Sequence, residues 1–107
     1  MIKSKDTSSI ILRDDRIIII RDLYPKAPTH LLIIPNKHIS SLSIKSDEVC
    51  DILGHMFTMA GQIAITEGVD QSGYRLIVNQ GLDAGQEIEH LHMHLLGGTR
   101  LGPMKKA

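Results

Sequence analysis

A chain of 107 residues, 42% hydrophobic and 22% charged, has the size of one compact domain, residues 1–107, and leaves no room for a second. Twelve Lys plus Arg against twelve Asp plus Glu give no net charge, so the positive field that draws nucleic acid or an anionic membrane surface is missing. Cys50 is the only cysteine, which excludes an internal disulfide and any CxxC zinc or redox motif, and makes a reducing cytosol the expected compartment.

The opening residues reach acidic positions after only three consecutive apolar ones, far short of a secretory leader or a membrane span. A soluble, unprocessed protein is expected, with frayed ends at 1–7 and 105–107 around a core from about residue 8 to residue 104. The β-branched runs Ile10 to Leu12 and Arg16 to Arg21, separated by Arg13-Asp14-Asp15, predict a hairpin. Because Ile17-Ile18-Ile19-Ile20 is apolar on both faces, its strand is expected to be central. Pro25 and Pro28 force an irregular connection. A third strand, His30 to Ile34, follows and stops at Pro35.

Between Ser46 and Gly68 the period changes. Val49, Ile52, Leu53, Met56, Ala60, Ile63 and Ala64 recur at three and four, the pattern of an amphipathic helix. Ser46 is placed to cap it, Asp47 and Glu48 suit its first turn, and Gly68 is placed to close it. Gly54 and Gly61 weaken the helix intrinsically and mark positions where another backbone is expected to pack close. Tyr74 to Asn79 and His90 to Leu96 read as two further strands, joined by residues 80–87 and ended by Gly97-Gly98. Strands that mostly neighbour in sequence, with one long helix, predict an α+β domain built on an antiparallel sheet.

His90-Leu91-His92-Met93-His94-Leu95-Leu96 holds half of the chain's 6 histidines. On a strand, His90, His92 and His94 share one face, about 6 to 7 Å apart, while Leu91, Met93 and Leu95 face the core. A solvated face is one reading of that row, although exposed strands favour Thr, Lys and Glu. A metal site is another, weakened by three collinear residues that fit a tetrahedron poorly and by the lack of a thiolate. The third is nucleophilic and acid–base chemistry on an anionic group. Adjacent imidazoles disfavour one another's protonation, so one stays nucleophilic while another donates a proton, a division of labour that suits transfer at phosphorus.

The same seven residues match the His-φ-His-φ-His-φ-φ signature of the histidine triad (HIT) superfamily, nucleotide hydrolases and transferases that work through a nucleotidylated histidine. Arg21-Asp22-Leu23, Ala27-Pro28-Thr29-His30, Pro35-Asn36-Lys37-His38-Ile39, Gly73-Tyr74-Arg75, Val78-Asn79 and Gly85-Gln86 resemble its nucleotide-binding (Hint) branch, bacterial type, as does the ending from Leu96 to Met104. The resemblance runs from Asp14 to Met104. It implies the HIT-like fold, about five antiparallel strands with one long helix. The third histidine, where the uridylyltransferase branch carries Gln, points towards hydrolysis.

By that resemblance His92 is the nucleophile, His94 contacts the phosphate and assists the leaving group, and His90 and His30 support them from behind. Asp22 accepts from the ribose hydroxyls, and Ile20, Leu23 and Leu32 line the base pocket. Asn79, Gly85 and Gln86 supply amide donors to the phosphate. Glu87 stands where many members carry Ser or Thr, and a carboxylate there repels phosphate unless turned away. His38 and His55 read as structural. The aromatic-bearing N-terminal helix of many Hint proteins has no counterpart, so adenine is expected to be held more loosely or by a partner subunit.

The expected activity is hydrolysis of purine nucleoside 5′-phosphoramidates, with dinucleoside polyphosphate hydrolysis or a nucleotide-binding scaffold of incidental turnover as alternatives. No cofactor, metal, nucleic acid or membrane is expected to take part. The resemblance also implies a homodimer, joined through the long helix and the strand from Tyr74 to Asn79.

Overall fold

The computed structural model describes residues 9–86 and 88–104, so the expected frayed ends and Glu87 lie outside the described residues. Its strands are β1 (Ile10–Arg13), β2 (Ile17–Arg21), β3 (Thr29–Pro35), β4 (Tyr74–Val78) and β5 (Met93–Gly97), and α1 (Asp47–Thr66) joins β3 to β4. The strands form one sheet in the order β1-β2-β3-β5-β4, and every pairing is antiparallel. This is the α+β architecture expected from the sequence.

Side-chain alternation gives the sheet two different faces. Ile17, Ile19, Leu31, Ile33, Met93 and Leu95 turn to one side and bury against Val49, Ile52, Met56, Ala60, Ile63 and Ala64 of α1. On the other side the register aligns Ile20, Leu32, His94 and Ile77 in one row across β2, β3, β5 and β4. The first face holds the core, and the second carries the histidines. Ile17, Ile18 and Ile19 are all buried, as a strand flanked on both edges and covered on both faces requires.

The β1–β2 hairpin is closed by Asp14, whose Oδ1 accepts the Arg16 and Ile17 amides, both at 2.8 Å. Its Oδ2 accepts from His55 Nε2 of α1 at 2.7 Å, so one carboxylate ties the hairpin to the helix. Burial pushes the Asp14 carboxyl upwards, but the His55 and amide hydrogen bonds together outweigh it and hold it at about 2. His55 has the structural part expected of it.

Ser46 caps α1 as anticipated, its Oγ accepting the Val49 amide at 2.9 Å. Gly68, at φ +76, turns the chain out of the helix, a left-handed conformation that glycine adopts without steric cost. At Gly54 and Gly61 the expected close approach does not come from the described residues of this chain. A Cβ added at Gly54 would meet nothing within 4 Å, and one at Gly61 would meet the Tyr74 hydroxyl at 3.8 Å. Among the described residues, no backbone uses that space. Phe57 and Ile65 also lie exposed on α1. The helix is long and apolar enough to cross a membrane by length and composition, but its inner face is sealed against the sheet.

The last strand is shorter than its sequence pattern. A ladder was expected from His90, yet the pairing with β3 and β4 starts at Met93. Alternation of burial nevertheless continues back through Leu91 and His92. The hydrophobic pattern extends beyond the hydrogen-bonded strand, because apolar side chains seek the core whether or not their amides have a neighbouring strand. For the same reason β4 ends at Val78 and not at Asn79.

Candidate active site

β3 and β5 bring His30 and His94 together. His30 lies opposite Leu96 and His94 opposite Leu32, so the two imidazoles are diagonal neighbours on one face. Their rings meet with His30 Nε2 and His94 Nδ1 2.9 Å apart. His92 precedes the ladder, and its ring stands edge-on to that of His94, with centroids 5.2 Å apart and planes at 65°.

Backbone partners determine where the ring protons sit. The Lys26 amide donates to His30 Nδ1 at 3.0 Å, so a neutral His30 carries its proton on Nε2. That N–H points at His94 Nδ1, with Asp22 Oδ2 3.3 Å away. His94 therefore accepts at Nδ1 and keeps its own proton on Nε2. His92 Nδ1 lies 2.9 Å from the His90 carbonyl oxygen. A carbonyl only accepts, so His92 holds its proton on Nδ1 and presents a lone pair at Nε2. Two adjacent rings thus offer opposite capacities, a nucleophilic nitrogen and an N–H donor.

Electrostatics keep the pattern in place. Burial, then the neighbouring His92 and His30 rings, lower His94 to about 4, against the opposing pull of Asp22. His30 is lowered too, mainly by burial, with Asp22 raising it and Lys26 lowering it. Both rings are neutral near pH 7. Because the unfolded chain takes up these protons first, stability should be complete above about pH 6.5 and fall as pH drops towards about 4. The Asp14 contribution runs separately, being lost only as pH falls from about 4 to about 2. Denaturant titrations across that range check this, and equal stability at pH 7 and pH 4.5 would contradict it.

Asp22 Oδ2, His30 Nε2 and His94 Nδ1 all lie within 4.8 Å of one another, close enough to share an ion. The donor set does not fit one, since the Lys26 amide on His30 Nδ1 places a proton on the nitrogen that would have to ligate.

The remaining expected residues divide. Ile20 and Leu32 sit half-buried in the same cross-strand row as His94. Leu23 lies just beyond β2 and is 66% exposed. Asp22 borders the His30 ring while its Oδ1 accepts the Tyr24 amide at 2.8 Å. Asn79 follows β4 and is half-buried. The loop after it departs from expectation. The Gly85 and Gln86 amides bond to the Leu82 and Gly81 carbonyls at 2.9 and 3.1 Å. The Gln86 side chain accepts from the Gly81 amide at 2.7 Å and donates to the Ile88 carbonyl at 3.0 Å. Donors expected to face phosphate instead hold the loop together, because a short turn must satisfy its own backbone first. Among the described residues, one side-chain N–H of Gln86 has no acceptor.

His90 differs most from the pattern. It belongs to no ladder, and its Nε2 donates to the Pro35 carbonyl at 2.8 Å while its Nδ1 lies 3.1 Å from His38 Nδ1. The sequence treats His38 as structural, with no local signal of this pairing. The residues are 52 positions apart, and only the return of β5 beside β3 makes them neighbours.

Comparison with known proteins places this arrangement. The HIT domain family model matches residues 3–101. The chain is 48% identical over 104 residues to the purine nucleoside phosphoramidase of Escherichia coli K12, covering 97% of this chain and 87% of that protein. It resembles the crystal structure of a HIT family hydrolase from Legionella pneumophila with a TM-score of 0.84 at 40% identity, over 88% of this chain and 84% of that one. A HIT family hydrolase from Clostridium thermocellum superposes with a TM-score of 0.82 at 44% identity, over 88% and 82% of the two chains. Sequence, fold and the histidine arrangement agree, and the chain belongs to the HIT domain family.

Proposed function

We propose that the chain is a single-domain hydrolase of purine nucleoside 5′-phosphoramidates, working through a nucleotidylated His92. The observation that carries this reading is the His92 Nδ1–H bond to the His90 carbonyl, which leaves Nε2 as a lone pair on the ring that adjoins His94. The name of the Escherichia coli relative supports the substrate class. His92 Nε2 attacks the α-phosphorus, a P–N bond to the ring forms, and the P–N bond to the amine breaks. The amine leaves with a proton delivered along the His94 side. Water then attacks the phosphorus of the adduct and returns a proton to the His94 side, the P–N bond to His92 breaks, and the nucleoside monophosphate leaves with both imidazoles restored.

In this reading His30 keeps His94 in the required tautomer, His90 holds His92 through its main chain, and Asp22 accepts from the ribose. Ile20, Leu23 and Leu32 form the base pocket. Asn79 and an N–H of the Gln86 side chain face the phosphate, with Gly85 shaping the loop. No cofactor, metal, nucleic acid or membrane enters the scheme, and the cytoplasm is the compartment.

Turnover of adenosine 5′-phosphoramidate and of diadenosine polyphosphates by one preparation tests the substrate class. The phosphoramidate should be the better substrate by at least about tenfold in kcat/KM. The reverse order would make the protein a dinucleoside polyphosphate hydrolase, and binding without turnover would make it a scaffold.

The protein is a homodimer in this proposal. Among the described residues β4 is an edge strand with no partner on its outer side, which invites pairing with another chain. Beside it α1 exposes Phe57, Ile65 and the open surface at Gly54. Light scattering at micromolar concentration should give near twice the 11.9 kDa of one chain. A monomer mass would refute the pairing.

A further inference from the structure

We propose that His38 is a positioning residue for the reaction, acting on His92 through His90. This inference rests on His92 being the nucleophile. His92 owes its tautomer to the carbonyl of His90, so the orientation of that carbonyl matters. No sheet ladder supplies it, because β5 starts at Met93. The connection that follows β3 holds the segment instead, at three points. The Ile39 carbonyl accepts the Leu91 amide at 2.8 Å, the Pro35 carbonyl accepts His90 Nε2–H at 2.8 Å, and the His38 ring meets the His90 ring at 3.1 Å between Nδ1 atoms.

The proton assignment makes His38 more than a neighbour. With its proton on Nε2 for Pro35, a neutral His90 has a bare lone pair at Nδ1. Two lone pairs 3.1 Å apart repel, so His38 carries a proton on Nδ1 and donates it. The two rings lie 33° from parallel with centroids 5.0 Å apart, which adds packing to the hydrogen bond. The His90 ring is thereby held at both nitrogens, and its main chain is held by Leu91 on the next residue. Removing the His38 donor frees one side of the ring and lets the His90 peptide rock. The His92 Nδ1–H then loses a fixed acceptor, and its Nε2 lone pair is no longer the sole form presented.

The test compares the unsubstituted enzyme with H38A and H38N, since an asparagine amide reaches the place of a histidine Nδ1. In H38A, kcat for adenosine 5′-phosphoramidate should fall about tenfold with KM within about twofold. Long-range nitrogen–proton NMR of the imidazoles should show His92 passing from the Nδ1–H form to a mixture, with an unchanged melting temperature. H38N should recover most of the kcat and the single tautomer. An unmoved His92 tautomer or an unchanged kcat in H38A overturns the proposal, as does an H38N enzyme no better than H38A. The NMR reading needs no turnover, so a failure of the nucleophile assignment is separable. In that case the tautomer moves on H38A while the unsubstituted enzyme forms no adduct at His92.

Discussion

Replacing His92 with alanine is expected to lower kcat by about 10⁴-fold or more, with nucleotide affinity changed little. In the proposed mechanism the ring divides a displacement at phosphorus into two easier steps, because imidazole is a good nucleophile and, once phosphorylated, a good leaving group. His92 has its Nδ1 proton on the His90 carbonyl and its Nε2 lone pair free. No neighbouring ring can substitute. His94 Nδ1 is occupied by His30 and its Nε2 holds a proton, and both nitrogens of His90 are engaged by Pro35 and His38. Asp22, Ile20 and Leu32 stay in place in the variant, so a nucleotide should still bind. Rapid quenching of the unsubstituted enzyme with a slow substrate should trap an acid-labile adduct on His92 alone. An adduct on a different histidine, or a near-normal rate from His92→Ala, would make the mechanism untenable.

His94→Ala should cost less, about 10²- to 10⁴-fold in kcat. Its proposed contribution is an N–H donor on the ring adjoining that of the nucleophile, and a displacement whose leaving group needs a proton proceeds slowly without one. Burial and the adjoining rings hold His94 to about 4, so near pH 7 it acts as a neutral donor and not as an imidazolium. The loss should accordingly grow with the basicity of the departing amine, which needs the proton more. A His94→Ala enzyme with equal losses for weakly and strongly basic amines would contradict this role. The same variant removes the acceptor from His30 Nε2, whose proton would turn to Asp22 Oδ2, already 3.3 Å away. Part of any change in KM would come from that turn, since Asp22 is the proposed ribose acceptor.

Local patterns in the sequence were enough for the α+β class, the capped helix, the two-faced central strand and the inward row Leu91, Met93 and Leu95. Each depends on neighbours within a few residues: a Ser oxygen reaching an amide three positions on, apolar positions repeating every three or four, or side chains alternating along an extended chain. The histidine row and the flanking motifs also identify the family, because their residue types and spacing are visible without any fold.

What the tertiary structure alone decided concerns pairs far apart in the chain. Nothing near His38 announces His90, nothing near Asp14 announces His55, and nothing near His30 says that its proton will face His94. The start of β5 at Met93 depends on where β3 and β4 can offer partners. The use of the Gly85 and Gln86 amides depends on the turn that closes around Gly81. A hydrogen bond requires two groups within about 3 Å at a set angle, and sequence spacing does not encode that distance once the partners are on different elements. Hydrophobic periodicity tells a side chain which face to take. Strand register and loop closure decide which groups meet it there, and through them which nitrogen of each histidine keeps its proton.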